Sequence, residues 1–237
     1  MLLFETIKED FNIIFEKDPA IRSRFEIIFN YPGFWAIFFY RIANSLYKRK
    51  FRLIARIITG IAQVITNVDI HPAATIGRRV FIDHACGVVI GETCEIGNDV
   101  LIYQGVTLGG VSLNKGKRHP TIRDHVVVGG GAKVLGNIEI GEGSKIGANS
   151  VVVKDVPPES TAVGIPARIV QSGKCKVPLG HNRLPDVNKQ IFEYLIKRVA
   201  ILEHVISKSK LCDELELKMK DEELDEVYEA FIKSLKD

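Results

Sequence analysis

From Ile70 onward every sixth residue of the chain is aliphatic. One frame carries Ile70, Ile76, Ile82 and Val88, a second Ile90, Ile96, Ile102 and Leu108, and a third Ile122, Val128, Val134, Ile140, Ile146 and Val152. Glycine follows at 91, 97, 109, 129, 141 and 147, and small or β-branched residues such as Cys94, Val100, Ala132 and Ser144 stand four places after the aliphatic ones. A helix does not give this pattern, because six residues advance it by about 600° and the stripe rotates away by a third of a turn. An even period keeps one side chain on the same face of an extended chain, so the pattern predicts short strands wound as a parallel β-helix. Three six-residue sides close a triangular coil of about eighteen residues, with neighbouring coils about 4.8 Å apart. Gly and Asn suit its corners, where φ is often positive.

The repeat slips twice. The frame of Ile82 gives way to that of Ile90 by two residues, and an excess of two between Leu108 and Ile122 marks a loop, "GGVSLNKGKRHPT", thrown out of the coil. Insertions of this kind often carry function in solenoids. Before the repeat, Leu3, Phe4, Ile7, Phe11, Ile14 and Phe15 recur at helical spacing. In "KDPAIRSRF", Asp18 before Pro19 reads as an N-cap and first helical residue. A second helix is expected after "YPG" and a third through the basic stretch 41–56. After the repeat, a polar linker at 171–185 leads to a helix striped by Ile191, Leu195, Ile196, Val199, Leu202, Val205 and Ile206, then to an acidic helix near 221–235. The expected organisation is α+β: an N-terminal helical domain (1–66), a β-helix (67–170), and a linker with C-terminal helices (171–237).

Composition narrows the functional classes. A net charge of +3 is too small to imply nucleic-acid binding, although 41–56 holds six basic residues and no acid, whereas 211–237 holds ten acids and four bases. The longest apolar run, Phe34 to Tyr40, is far below the roughly 20 residues needed to span a bilayer, and no signal-peptide pattern opens the chain, so a cytoplasmic location is expected. Cys86, Cys94, Cys175 and Cys212 form no CxxC pair, which fits free thiols. The adjacent Asp83 and His84 in "VFIDHACGVVIGET" have three readings on their own: a general base with its neighbour, a pair of metal ligands, or polar residues at a turn.

The motifs "VDIHPAATIG", "FIDHACGVVIGET", "QGVTLGG", "RHPTIRD", "GGGAKVLGNIEIG", "KIGANSVV" and "GIPARIV" occur in that order and together resemble the serine O-acetyltransferases. The likeness covers about residues 67–170 and implies a left-handed β-helix. It also implies transfer of acetyl from acetyl-CoA to the hydroxyl of L-serine, giving O-acetyl-L-serine and CoA, the first step of cysteine synthesis from serine. Carried over residue by residue, His84 is the general base and Asp69 its carboxylate partner. Asp83, Arg118, His119 and Asp18 bind serine, with Glu92 in support. Gly110, Gly130, Lys145, Ala148, Thr161 and Arg168 line the acetyl-CoA groove, and no metal is required. The resemblance further implies a homotrimer or a dimer of trimers, with the groove between adjacent prisms, and feedback inhibition by L-cysteine. O-acetylserine sulfhydrylase is a partner of many relatives, but this chain ends "FIKSLKD" instead of in their terminal Ile, and Lys117 stands where many carry Asp.

These residue types fit that chemistry. A His of ordinary pKa near 6.5 can take the serine proton during attack on the thioester, and a carboxylate on its other nitrogen fixes the tautomer. Zwitterionic serine calls for both signs of charge, with Arg118 facing the carboxylate and Asp83 and Asp18 the ammonium. Three rival readings remain: acetyl transfer to another hydroxyl, such as that of a sugar or antibiotic, a zinc carbonic anhydrase-like β-helix using His84, His119 and His125, and a non-catalytic scaffold, for which loss of His84 would change nothing. His71 is expected to be a structural corner residue, and Cys86 and Cys94 to fill interior space.

Overall fold

A computed structural model of the chain describes residues 2–172 and 187–207. It forms two compact units, Met1–Leu184 and Pro185–Asp237. In the first, four helices precede a three-faced parallel β-helix: α1 (Leu2–Lys17), α2 (Arg24–Asn30), α3 (Pro32–Lys48) and α4 (Arg52–Thr66). In the second, α5 (Val187–Ser207) carries the predicted apolar stripe. The predicted acidic helix near 221–235 lies outside the described residues.

The first face of the β-helix stacks Asp69–Ile70, Val89–Ile90, Thr107–Gly109, Lys133–Leu135 and Val151–Val152. The second stacks Thr75–Ile76, Glu95–Ile96, Thr121–Ile122 and Glu139–Ile140. The third stacks Phe81–Ile82, Leu101–Ile102, Val127–Val128 and Lys145–Ile146, and closes with the antiparallel hairpin Ser160–Gly164 and Ala167–Ser172. The second residue of each two-residue strand points inward, so Ile76, Ile82, Ile90, Ile96, Ile102, Ile122, Val128, Ile140, Ile146 and Val152 are buried in one core. Burying each such side chain stabilises the fold by about 1.5–3 kcal/mol.

The coil is not uniformly eighteen residues. Asp69 pairs with Val89 and Phe81 with Leu101, twenty residues on, whereas Val89 pairs with Thr107 and Lys133 with Val151, eighteen on. The two extra residues of the first coil fall at the corner 83–88. Across the extruded loop, Glu95 pairs with Thr121, twenty-six residues on, so the loop adds eight residues where the frame indicates two. A hexapeptide frame fixes an insertion only modulo six, and the loop spans a whole missing side plus the two-residue excess.

Helix α3 caps the open end of the prism: Ala36, Ile37 and Tyr40 join the core beside Val68, Ala74 and Val80. The Tyr40 hydroxyl donates to Ala74 O (2.6 Å), and buried Arg41 donates to Asp10 Oδ2 (2.9 Å) and Ile76 O (2.7 Å), tying α1 and α3 to the first coil. Gly33 lets α3 approach this closely, since a Cβ there would lie 2.0 Å from Ile82 O. Two helix expectations are corrected. Asp18 does not cap a helix; its Oδ1 accepts from Ala20 N (2.8 Å) in a turn, and α2 starts later with Ser23 as N-cap. The basic stretch is not one helix but a break at 49–51 between α3 and α4, where Lys50 adopts φ 73°.

Candidate active site

Three edges run along the prism, and the expected site residues fall mainly on two of them. The 3/1 edge joins the third face to the first and holds the corner 83–88. There His84 and Ala85 both take left-handed backbone conformations (φ 55° and 53°), followed by Gly87 at 72°. Non-glycine residues in this region cost about 1–2 kcal/mol each. Hydrogen bonds hold the corner: Gly87 N donates to Asn67 O (2.8 Å) and Gly105 N to Cys86 O (2.8 Å). The surplus of two residues turns the His84 side chain outward, where it is 76% exposed, and its Nε2 lies 4.0 Å from Asp83 Oδ1. The same bulge leaves Cys86 exposed rather than interior, while Cys94 is buried as expected and burial pushes its thiol pKa up to about 12.

Asp83 and His84 close one side of a cavity of about 230 Å³ whose other walls include Asp18, Glu26, Tyr31 and Gly33. Tyr31 donates its hydroxyl to Asp18 Oδ2 at 2.6 Å. Burial raises the Asp83 pKa, His84 opposes that rise, and the Asp18 carboxylate adds to it. Three carboxylates around so small a space suit a cationic group. Tyr31 and Glu26 were not anticipated from sequence; they lie outside the repeat, and only the fold of 18–33 over the third face brings them here.

A second space of about 590 Å³ runs along the same edge from His84 past Tyr103, Gln104 and Gly105 to Gly130, Gly131, Ala148 and Asn149. A Cβ at Gly130 would approach Gln104 Nε2 to 3.0 Å, so the Gln104 side chain packs closely over this glycine. Of the expected groove residues, Gly130 and Ala148 thus line one space with His84. Lys145 and Thr161 are register partners on the third face, Arg168 lies opposite Val163 in the closing hairpin, and Lys145 is buried. Gly110 lies elsewhere.

The 1/2 edge, between the first and second faces, carries Glu92, Thr93, Gly110, Arg118 and His119. Arg118 Nη2 meets Glu92 Oε2 at 2.5 Å and holds the Glu92 pKa below its ordinary value. Arg118 N and His119 N both donate to Thr93 Oγ1 (3.0 and 3.2 Å), and His119 Nδ1 accepts from Thr93 N (3.2 Å). Burial, and then the Arg118 charge, lower the His119 pKa, which favours the neutral ring. Lys117 is tied to Thr93 O (2.8 Å) and Glu95 Oε1 (2.9 Å). His71 sits at this edge as a corner residue, its Nδ1 accepting from Ala73 N (3.1 Å).

Asp69 opens the first face, half-buried and paired with Val89, not stacked over Gly87 as an eighteen-residue coil would place it. Among the described residues no hydrogen bond joins it to His84. Nor does any hydrogen bond or ion pair there join the Asp83–His84 corner to the Arg118–His119 cluster. His84, His119 and His125 occupy three different edges, and the described residues include no group of three or more His, Cys, Asp or Glu placed to hold a metal ion. No described helix is long and apolar enough to cross a membrane.

Comparisons with known proteins agree with this architecture. The bacterial transferase hexapeptide family (six repeats) matches residues 119–154. The serine acetyltransferase of Bacillus subtilis (strain 168) is 56% identical over 200 residues, covering 84% of this chain and 92% of that relative. Soybean serine acetyltransferase complexed with serine superposes with a TM-score of 0.69 at 48% identity, covering 71% of this chain and 69% of that one. A serine acetyltransferase in complex with cysteine superposes with a TM-score of 0.70 at 46% identity, covering 71% and 70%. With its left-handed hexapeptide β-helix, its N-terminal helices and this degree of identity, the chain belongs to the serine acetyltransferase family.

Proposed function

We propose that the chain transfers acetyl from acetyl-CoA to the hydroxyl of L-serine, releasing O-acetyl-L-serine and CoA in the first step of cysteine biosynthesis. Family membership supports the reaction, and the observation that carries the site assignment is the division of charge between two edges. Three carboxylates beside an exposed imidazole occupy one edge, and an arginine paired with Glu92, next to a histidine whose pKa burial lowers, occupies the other. In a closed ring of copies, the 3/1 edge of one chain meets the 1/2 edge of the next. A zwitterionic amino acid then bridges them, its ammonium on Asp83 and Asp18 and its carboxylate on Arg118, with His119 alongside. Glu92 keeps the guanidinium extended until the substrate arrives. A homotrimer, or a dimer of such trimers, supplies this ring.

His84 takes the serine hydroxyl proton as the oxygen attacks the thioester carbonyl. The C–S bond then breaks and the CoA sulfur leaves with the proton that His84 held. Such a base contributes about 10² to 10⁴ in rate. By the resemblance, Asp69 would fix the tautomer of the imidazole. The groove from His84 to Ala148 suits the pantetheine arm, with Gly130 and Ala148 permitting close approach, Lys145, Thr161 and Arg168 toward its far end, and Gly110 contributed by the 1/2 edge of the neighbouring copy. L-Cysteine differs from L-serine by sulfur for oxygen, so the same charges would accept it as an inhibitor; a relative is described with cysteine bound.

The test is thiol release from acetyl-CoA with L-serine or a panel of sugar hydroxyls as acceptor. Serine-dependent release that falls at least about a hundredfold in His84→Ala is expected. Release with sugars alone would replace the acceptor, and serine turnover indifferent to His84 would remove the base.

A further inference from the structure

The Thr93 hydroxyl makes every hydrogen bond open to it. A threonine oxygen has two acceptor lone pairs and one proton. Arg118 N and His119 N donate to Oγ1 at 3.0 and 3.2 Å, which occupies both lone pairs, and His119 Nδ1 lies 2.8 Å from the same oxygen. Only the hydroxyl proton is left to make that last contact, so Nδ1 is the acceptor. The Thr93 main-chain N–H donates to the same ring nitrogen at 3.2 Å. Two donors converging on Nδ1 leave no room for a proton there, and the ring carries its proton on Nε2. Lys117 adds a further tie by donating to Thr93 O, so three successive residues at the end of the extruded loop are fastened to one side of a single threonine.

The other nitrogen is placed differently. His119 is 8% exposed, and its Nε2 edge lies against Gly91 and Gly110, where a Cβ would come within 2.0 and 3.2 Å of that nitrogen. Among the described residues, the hydrogen bonds to the ring all go to Nδ1. A buried N–H without a partner is costly in a folded chain, so one kept at the edge that carries Arg118 points to an acceptor brought by a ligand. Four titratable groups face the ring. Arg118 and Lys117 disfavour a second proton, Glu92 favours one, and His71 lies close enough for the two rings to feel each other's charge. Glu92 is itself engaged by Arg118, and Lys117 by Glu95.

We propose that Thr93 is a positioning residue that holds His119 as a neutral Nε2–H donor for the carboxylate of the acceptor amino acid, an inference that rests on the reading of Arg118 and His119 as its receivers. A proton on Nδ1 would set that N–H against the Thr93 N–H and O–H, so the clamp excludes the imidazolium by geometry as well as by burial. One side chain thereby fixes the main chain of Arg118, the main chain of His119 and the tautomer of the ring. The two histidines then divide the work: His84 gains and loses a proton in each turnover, and His119 keeps one protonation state throughout.

The test uses the full chain isotope-labelled at histidine alone, with the His119 signals identified as those missing from His119→Gln. NMR of the ring nitrogens is followed from about pH 8 to about pH 5.5, across the ordinary histidine pKa near 6.5. The parent and Thr93→Ser should keep a neutral ring protonated on Nε2 over the whole range. Thr93→Val has the same shape without the hydroxyl, and its His119 should take up a second proton at a pH closer to the ordinary value. Its KM for serine should rise at least about tenfold, as loss of a hydrogen bond to a charged group requires, with KM for acetyl-CoA unchanged and a smaller change in kcat. Should Thr93→Val lower the yield of folded protein, the spectrum of the parent alone still decides the tautomer. A parent ring that protonates near the ordinary pKa, or that carries its proton on Nδ1, overturns the proposal. A Thr93→Val ring that titrates as the parent's does overturns it too, leaving burial as the cause. Equal losses toward serine and acetyl-CoA would reduce Thr93 to a part of the fold and overturn its positioning role. A ring released in Thr93→Val with KM for serine unchanged would instead remove His119 from the acceptor and overturn the reading on which the inference rests.

Discussion

The Tyr31 hydroxyl sits 2.6 Å from Asp18 Oδ2, and Ala20 N holds the other oxygen at 2.8 Å, so a carboxylate outside the β-helix is fixed in place over Asp83. Tyr31 precedes α3, whose Gly33 presses on Ile82 O, so the position of Asp18 is set by the docking of the helices onto the strand that leads into His84. If Asp18 meets the ammonium of serine, Tyr31 is a positioning residue. A hydrogen bond to a charged group contributes about 1.5–3 kcal/mol. Tyr31→Phe should therefore raise KM for serine by at least about tenfold while leaving kcat and KM for acetyl-CoA near the parent values. Equal losses in kcat and in both KM values would mean a structural role alone.

Asp83 gives a prediction with a definite sign. Burial, with the Asp18 charge added and His84 opposing, raises its pKa in the folded chain above the ordinary 3.8. A carboxyl raised on folding favours the protonated form, so its contribution to stability is fully present below the unfolded pKa and is lost as pH rises through the folded one. Asp83→Asn should accordingly raise Tm at pH 7, and the gain should vanish in acid. Serine binding runs the other way, because an ammonium needs the ionised carboxylate. KM for serine should rise as pH falls through the elevated Asp83 pKa, before ordinary carboxylates titrate. Thermal melts and kinetics over the same pH series check both signs, and a destabilised Asp83→Asn at neutral pH would contradict them.

Gly91 lies under the His119 ring, and a Cβ there would come within 2.0 Å of His119 Nε2. The ring is buried and held by Thr93, so it cannot simply swing aside. Overpacking of this kind costs about 1–3 kcal/mol. Gly91→Ala should lower Tm and displace His119 and Arg118, raising KM for serine more than KM for acetyl-CoA. A variant with parental kinetics would remove His119 from the acceptor site.

The two described cysteines should differ in reactivity. Cys94 is buried, with its thiol pushed up to about 12, while Cys86 is exposed beside His84. Brief treatment of the native chain with iodoacetamide, followed by peptide mass spectrometry, should find Cys86 alkylated and Cys94 intact. Modification of Cys94 at a comparable rate would mean that the coil opens locally.

Much of the β-helix was legible because its core obeys a period that no other element imitates: the inward residues are the aliphatic ones of the frame, from Ile90 through Val152. The slip between Ile82 and Ile90 also pointed to the right place, since the two surplus residues form the corner that turns His84 outward. What escaped was whatever the period does not encode. The frame is blind to multiples of six, so the loop after Gly109 was underestimated by one side of the prism. Asp18 before Pro19 has the same local chemistry in a turn as at a helix cap, and only Ser23 downstream decides between them. Tyr31 and Glu26 carry no motif, and their approach to Asp83 depends on a long-range contact at Gly33. Helix α4 buries Ala55, Thr59 and Ala62 and exposes Ile57 and Ile61, a polarity that an apolar stripe does not reveal in sequence.

The claim that the site is divided between neighbouring chains is open to a direct measurement: co-expression of His84→Ala and Arg118→Ala under separate affinity tags, purification through both, and assay of serine-dependent thiol release. Each variant alone should be nearly inactive. In a mixed trimer one of the three junctions joins an intact 3/1 edge to an intact 1/2 edge, so doubly tagged trimers should recover about a third of the parent activity. Mixed assemblies as inactive as either variant alone would place His84 and Arg118 in the service of one chain and contradict the account.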